Sequence, residues 1–381
     1  MFNNAGARNH GSMRWRNAWL GLWLVAIGAG AQGRFTDPQD GYFDLSDHLL
    51  QQKGFMPVPI IITEPALDYG GGLGALWFSE SLGEAKHKSG DGPMVPPSIG
   101  GLFAFKSGNG SWGAGGGYFM PLAEDRYRYL GGAGKLSLNL DYYLPISDDA
   151  AAYQLAGSGV IQQLLARVGR SNWWLGPRYI YFSSESSFAH QPPAAVPSRD
   201  LDMQIGQLSL IVDYDSRDNM FTPGQGGFME AELATVRDWL GASVAYNSLA
   251  VRGFYYQPLT PGWILGLRAD GRRVGEEAPF FAQPYIGLRG VPVMRYQDER
   301  VLVGETELRW DLSPRWALLG FGGLGKAYGQ RNSWDEAESV VAGGAGFRYL
   351  IARKLGLYTG IDVARGPETT AFYIQVGSAW R

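Results

Sequence analysis

From Val301 to Asp311 the chain alternates strictly. Glu305, Glu307, Arg309 and Asp311 fall on one face; Leu302, Gly304, Thr306, Leu308 and Trp310 fall on the other. Successive side chains of a strand point to opposite sides, so this segment has one charged and one apolar surface. A soluble sheet turns the charge to water, whereas a membrane barrel turns it into the lumen and sets the apolar groups against lipid. The same period of two recurs elsewhere. Leu208, Leu210, Val212 and Tyr214 oppose Gln207, Ser209, Asp213 and Asp215; Met229, Ala231 and Leu233 oppose Glu230 and Glu232. Trp263, Leu265, Leu267 and Ala269 oppose Arg268, Asp270 and Arg272. Leu357, Thr359, Ile361 and Val363 oppose Tyr358, Gly360 and Asp362, and a last strand sets Phe372, Ile374, Val376 and Trp380 against Tyr373, Gln375 and Gly377.

Strand patterns begin near Met56, Tyr69, Ser98, Ser111, Tyr127, Tyr153, Asn172, Asp202, Gly227, Ser243, Gly262, Val301, Trp316, Ser339, Leu355 and Thr369. They recur at roughly twenty residues, as ~10-residue tilted strands plus connections would. The pattern predicts an all-β fold: a transmembrane antiparallel barrel of about sixteen strands. Several connections after even strands are short (169–171, 258–261, 313–314, 352–354), and several after odd strands are longer (185–199, 275–300, 329–338). Short inner turns and longer outer loops are the outer-membrane arrangement. The stretch 80–97 breaks that rule, as do the brief outer connections at 65–68 and near Asn109. The soluble alternatives are a sandwich or a propeller, but the chain has no internal repeat of the propeller kind.

Residues 43–52 (FDLSDHLLQQ) are predicted as the sole helix of the exported chain, with Leu45, Leu49 and Leu50 on one face and Gly54 as a stop. So short a helix is unstable alone and should rest on the barrel mouth or lumen. Pro57 and Pro59 lie two apart in the first strand, so their missing N–H groups share one edge. That edge should pair poorly with the last strand, leaving a weak seam.

Composition supports the barrel. Of 381 residues 55 are Gly and 18% are charged, against roughly 25% charged in soluble domains. No apolar run reaches the ~20 residues of a spanning helix. The net charge of −3 gives no reason to expect nucleic acid, and the absence of Cys rules out disulfides and thiol chemistry. At the N-terminus, Arg14 and Arg16 precede an apolar run that ends in Ala29-Gly30-Ala31, the pattern of a secretory signal peptide. The expected organisation is therefore a signal peptide (1–31), a short periplasmic segment with the helix (32–55) and an outer-membrane β-barrel (56–381).

Candidate chemistry is sparse. Asp213, Asp215, Asp218 and Asn219 lack the EF-hand spacing and its final Glu, so they read as a polar turn. His10, His48, His87 and His190 show no metal-ligand spacing. Ser79 or Ser89 near His87 is the one local pairing that an acyl hydrolase could use. Gly70–Gly72 and Gly115–Gly117 have no following helix to cradle a phosphate and suit close strand packing. No metal or cofactor is expected, and no catalytic residues.

The Leu288-Arg289-Gly290 turn, the acidic strand after it and a later Gly-x-Gly-x-Arg strand (GGAGFRYL, 343–350) carry a family resemblance. Residues 287–325, 215–233 and 56–74 extend it over nearly the whole exported chain. They resemble the bacterial surface antigen family, the BamA/TamA superfamily. The resemblance implies a sixteen-stranded barrel whose long loop after strand eleven folds into the lumen, its Arg pairing with inward acidic groups. By position Arg289 is that arginine, Gly290 permits the turn, and Glu305 and Glu307 are its reachable partners. Arg348 and Asp362 are further inward charges. Arg252-Gly253 spells the loop signature more literally but lies within an alternating strand, so it reads as coincidence. The sequence departs from the family in three places. Too few residues precede Met56 for a polypeptide-transport (POTRA) domain. Phe321-Gly322-Gly323 stands where assembly members carry an Asp, and the chain ends in Trp380-Arg381 rather than a terminal aromatic.

The resulting expectation is a monomeric barrel of the bacterial outer membrane, among outer-membrane lipid and lipopolysaccharide. It would aid insertion or translocation of protein or lipid, borrowing a periplasmic POTRA-type or chaperone partner. A passive pore or structural barrel is the alternative, and an outer-membrane acyl hydrolase a third.

Overall fold

In the computed structural model, residues 35–89, 95–143, 150–194 and 196–380 are described. The signal peptide read at 1–31 lies outside them. Residues 35–43 form a small unit of their own, a turn closed by a bridge between Thr36 and Phe43.

The second unit begins at Asp44. It opens with helix α1 (Ser46–Gln51) and then β1 (Gly54–Ile62) and β2 (Gly70–Phe78). Helix α2 (Leu82–Ser89) precedes β3 (Ile99–Ser107), β4 (Trp112–Leu122), β5 (Tyr127–Tyr143) and β6 (Ala150–Arg167). Next come β7 (Trp173–Phe188), β8 (Asp202–Asp215), β9 (Gly226–Val236), β10 (Tyr246–Thr260) and β11 (Trp263–Val274). The last five strands are β12 (Arg300–Asp311), β13 (Trp316–Tyr328), β14 (Ser339–Ala352), β15 (Leu357–Arg365) and β16 (Thr370–Val376). All sixteen form a single sheet in chain order, each antiparallel to the next, in a nearly closed barrel. Among the described residues no ladder joins β1 to β16.

The alternation read from the sequence is the alternation of lumen and exterior. Leu302, Leu308 and Trp310 are exposed on the outside, whereas Val301, Val303 and Glu305 are buried. Register carries this around the barrel: Glu305 opposes Arg268, and Arg309 opposes Ile264. Arg252 and Gly253 lie in mid-strand on β10 opposite Glu230 and Met229, away from any loop.

Three expectations are corrected. The stretch 80–97 is not loop throughout, since it contains α2. That helix starts with a capping box: Ser81 N donates to Glu84 Oε2 (2.8 Å) and Glu84 N to Ser81 Oγ (3.1 Å). Trp380 is not on the outer stripe of β16. Gly377, at φ +82°, turns the chain off the strand, and Trp380 is buried inside. Phe372, Ile374 and Val376 do face outward.

Helix α1 is held by polar anchors more than by its leucines. Asp44 Oδ1 accepts from Ser46 N (2.6 Å), and its Oδ2 accepts from Arg315 Nη1 (2.6 Å) and Arg353 N (3.0 Å). Arg315 is itself fully buried and also donates to Leu350 O. Burial would raise the Asp44 pKa, but the hydrogen bonds from Ser46, Arg315 and Arg353 outweigh it and hold the carboxyl below its usual value. The helix is thus pinned under the short turns of β12–β13 and β14–β15. Gly54, read as its stop, instead opens β1 with φ +78°.

Candidate functional site: a luminal brace

The connection from β11 to β12 turns into the barrel. Its tip is the turn Leu288–Val291, closed by Val291 N donating to Leu288 O (3.1 Å), with Gly290 at φ +90°. Glycine takes that conformation without steric cost. Here it also fits a tight space, because a Cβ on Gly290 would lie 2.8 Å from Gly366 N and 3.0 Å from Arg365 C. Leu288 packs with Ile286, Val291, Val301, Val303 and Val340. Glycine at inward position 323 of β13 makes the socket, since a Cβ there would meet Leu288 Cδ2 at 2.5 Å.

This packing delivers Arg289 to three carboxylates on two strands. Its Nε and Nη2 donate to Glu305 Oε1 (3.0 and 2.8 Å), Nη2 to Glu307 Oε2 (2.9 Å) and Nη1 to Asp362 Oδ2 (2.7 Å). Its guanidinium also lies 3.5 Å above the Phe321 ring. Arg348 grips Asp362 through two bonds of 2.5 and 2.9 Å. Every candidate of the Arg289 group therefore meets at one place. Where the family resemblance implies an Asp on strand thirteen, Phe321 supplies a ring face, and the acidic partner comes from Asp362 on β15.

Two partners of Glu305 were not foreseen. Arg268, one strand away, donates to Glu305 Oε2 (3.1 Å) and is paired with Asp270. Trp380 Nε1 donates to the same Glu305 oxygen (2.8 Å). The Trp380 ring stacks on Phe254 and lies against Tyr256. Glu305, with its side chain 2% exposed, thus accepts from the loop on one oxygen and from the barrel wall and the C-terminal tail on the other. Charge-assisted bonds of this kind are the stronger ones. A low-exposure carboxylate with four donors acts as a junction between loop, wall and tail.

The loop also reaches both sides of the gap between β1 and β16. Gly290 N donates to the Tyr373 hydroxyl on β16 (2.9 Å), and Thr369 Oγ1 donates to Gly290 O (3.1 Å). On the other side Val293 N donates to Glu64 Oε1, just beyond β1 (3.1 Å). Desolvation raises the Glu64 pKa despite the backbone bonds from Val293 and Ala66. Outside, Tyr69 and Phe372 stack with ring centroids 5.5 Å apart. Pro57 and Pro59 sit on the outer face of β1 opposite Ala75 and Leu73, within an unbroken β1–β2 register. Side chains and the loop, rather than a backbone ladder, span the seam.

Other candidates lie apart. Asp215 pairs with Arg217, Asp218 accepts from Gly224 N and Gln225 N, and Asn219 donates to Leu355 O; these are turn-forming contacts. Ser79 follows β2 and His87 is exposed on α2, while the Ser89 side chain lies outside the described residues.

No protein-family model matches the chain, and no curated protein matches its sequence. Solved structures do match its fold. BamA from Haemophilus ducreyi lacking POTRA domains 1–3 superposes with a TM-score of 0.58 at 12% identity, over 86% of this chain and 70% of that one. CdiB from Acinetobacter baumannii gives 0.55 at 12% identity, over 84% of this chain and 59% of the other. CdiB from Escherichia coli gives 0.57 at 10%, over 84% and 62%. The chain thus spans about 60% of the length of the CdiB chains. Its fold is that of a BamA-like sixteen-stranded barrel.

Proposed function

We propose that the chain is a non-enzymatic barrel of the bacterial outer membrane that helps an amphipathic client, polypeptide or lipid, to enter or cross that membrane at the seam between β1 and β16. The observation carrying this reading is the sheet itself: fifteen of its junctions are ladders, and the sixteenth is bridged by side chains and a loop. A junction without backbone hydrogen bonds opens at lower cost than a ladder of about one net kcal/mol per bond. The Arg289 brace holds the loop across the gap and keeps the lumen shape fixed while the seam moves. Lipid and lipopolysaccharide surround the outer face, and a POTRA-type or chaperone partner would meet the short-turn end beside α1 and α2. The barrel acts as a monomer and uses no cofactor.

The test is to link the seam reversibly. In a Tyr69→Cys, Phe372→Cys variant, joining the two thiols with a short bifunctional reagent that thiols cleave should abolish client insertion or lipid passage in proteoliposomes. Reduction should restore it. Undiminished activity in the linked barrel would reject the seam. Large steady single-channel conductance, unaffected by Arg289→Ala, would favour a passive pore.

A further inference from the structure

Following the register around the barrel separates the lumen into two unlike walls. From β7 to β15 the inward positions carry the charges: Arg178 with Glu230 and Glu232, Arg252 with Glu230, and the Arg289 group. From β1 to β6 they do not. Ile60 opposes Gly72, Gly72 opposes Phe105, Phe103 opposes Gly115, Gly115 opposes Gly134 and Gly132 opposes Ile161. Over the height these six strands share, the inward positions are aliphatic, phenylalanine or glycine, with Ser107 and Gln163 towards the ends. Two inward charges, Arg128 and Arg167, lie at the short-turn end; Arg128 pairs with Asp125, and the two guanidinium groups lie 3.8 and 5.5 Å from the centroid of the Trp174 ring. Outer-membrane barrels normally alternate apolar outside with polar inside. Here β1 to β6 are apolar on the inner face over this height, while Lys106, Lys135 and Gln162 stand among the apolar residues of the outer face.

This inner wall is open. Phe103 is 44% exposed although it points inward, and Gly117 and Gly134 are exposed beside it. An apolar face left accessible marks a binding surface. Its position limits the occupant. The wall ends at β1, whose outer face (Phe55, Pro57, Pro59, Ile61) is also apolar. At the unpaired edge beside β16, bilayer and inner wall therefore meet along β1 with no charged or hydrogen-bonding side chain between Gly54 and Ile62. Between its ends the wall lacks hydrogen-bonding side chains, and except along the unpaired edge of β1 its backbone is committed to the ladders. A polypeptide laid on it would leave N–H and C=O groups without protein partners. A hydrocarbon chain would leave nothing unsatisfied.

We propose that the inner wall of β1–β6 is a track for the acyl chains of an amphipathic lipid, which enter from the bilayer through the β1–β16 seam. The track rests on the seam reading above and names its client class. Glycine at inward positions of β2, β4 and β5 keeps the trough wide enough for a chain. The charged wall opposite faces the polar part of the lipid and the water around it.

The test uses the full chain in vesicles of phosphatidylethanolamine and phosphatidylglycerol that contain a phospholipid with a diazirine near the acyl terminus. After illumination, mass spectrometry should find label on inward Phe103, Phe105 and Met56 as well as on outward Leu73 and Leu102. Phe103→Gln with Ile60→Gln should cut inward labelling at least fivefold and leave outward labelling unchanged. Label confined to outward residues, or inward label unaffected by the two substitutions, would overturn the track. So would a photoreactive amino acid at position 103 that captures polypeptide rather than lipid. The two readings fail separately. With outward label present and the linked seam blocking passage, an unlabelled inner wall defeats the track alone. A labelled inner wall with passage through a linked seam defeats the seam reading.

Discussion

Glu305→Gln should be the most damaging conservative change in the lumen. The carboxylate has four donors: Arg289 Nε and Nη2 on Oε1, Arg268 Nη1 and Trp380 Nε1 on Oε2. The amide keeps the size but offers one oxygen, so its NH₂ must face a pair of donors. Breaking a buried ion pair from one side costs roughly 3–5 kcal/mol. Charge-assisted hydrogen bonds are worth about 1.5–3 kcal/mol each, and luminal water screens part of that. The expected loss is about 3 kcal/mol. Glu307 has a single bond to Arg289 and a side chain 17% exposed, so Glu307→Gln should cost about 1 kcal/mol. Urea unfolding of the reconstituted barrel, read by its heat-modifiable gel shift, measures both. Arg289→Met in the Glu305→Gln background should add less than its separate cost, because Arg268 and Trp380 still hold position 305. Equal losses for the Glu305 and Glu307 variants, or full additivity, would refute the junction.

Three further perturbations probe other contacts. Gly290→Ala combines a left-handed residue, about 1–2 kcal/mol for any side chain, with a Cβ 2.8 Å from Gly366 N; it should expel the turn, seen as new protease cleavage within 275–299. Trp380→Phe keeps the stack and loses the bond to Glu305, costing about 1 kcal/mol, whereas Trp380→Ala should cost two or three times as much by the same unfolding assay. The Asp44 pKa is lowered in the fold, so its stabilisation is present above the ordinary value and lost as the pH falls through the folded value. Hydrogen exchange of 46–51 should rise steeply on acidification below about pH 4 in the natural chain, and Asp44→Asn should remove that step.

The parts that were legible in the sequence are those governed by a period of two. Strand starts agree within three residues because lipid-facing and lumen-facing positions alternate, and the inward set of β12 already contained two of the three carboxylates that Arg289 meets. Alternation failed where a glycine ended it. At Gly377 the chain leaves β16, so extending the outer stripe to Trp380 placed a luminal ring in the bilayer. Helix α2 is too short and polar for an apolar face to stand out, although Ser81-Leu82-Gly83-Glu84 spells its cap. Arg268 was visibly inward, but only register shows that it opposes Glu305. The uncharged wall was hidden for the same reason: its glycines carry no hydropathy signal strand by strand, and it becomes a surface only when six strands are aligned.

The chain contains no cysteine, so single cysteines along β12, each carrying a nitroxide in reconstituted vesicles, test the account most directly. Oxygen accessibility should be high at 302, 304, 306, 308 and 310 and low at 301, 303, 305, 307 and 309. A flat profile, or one with the opposite phase, would contradict a barrel that turns Leu302 and Trp310 to lipid and Glu305 to its lumen.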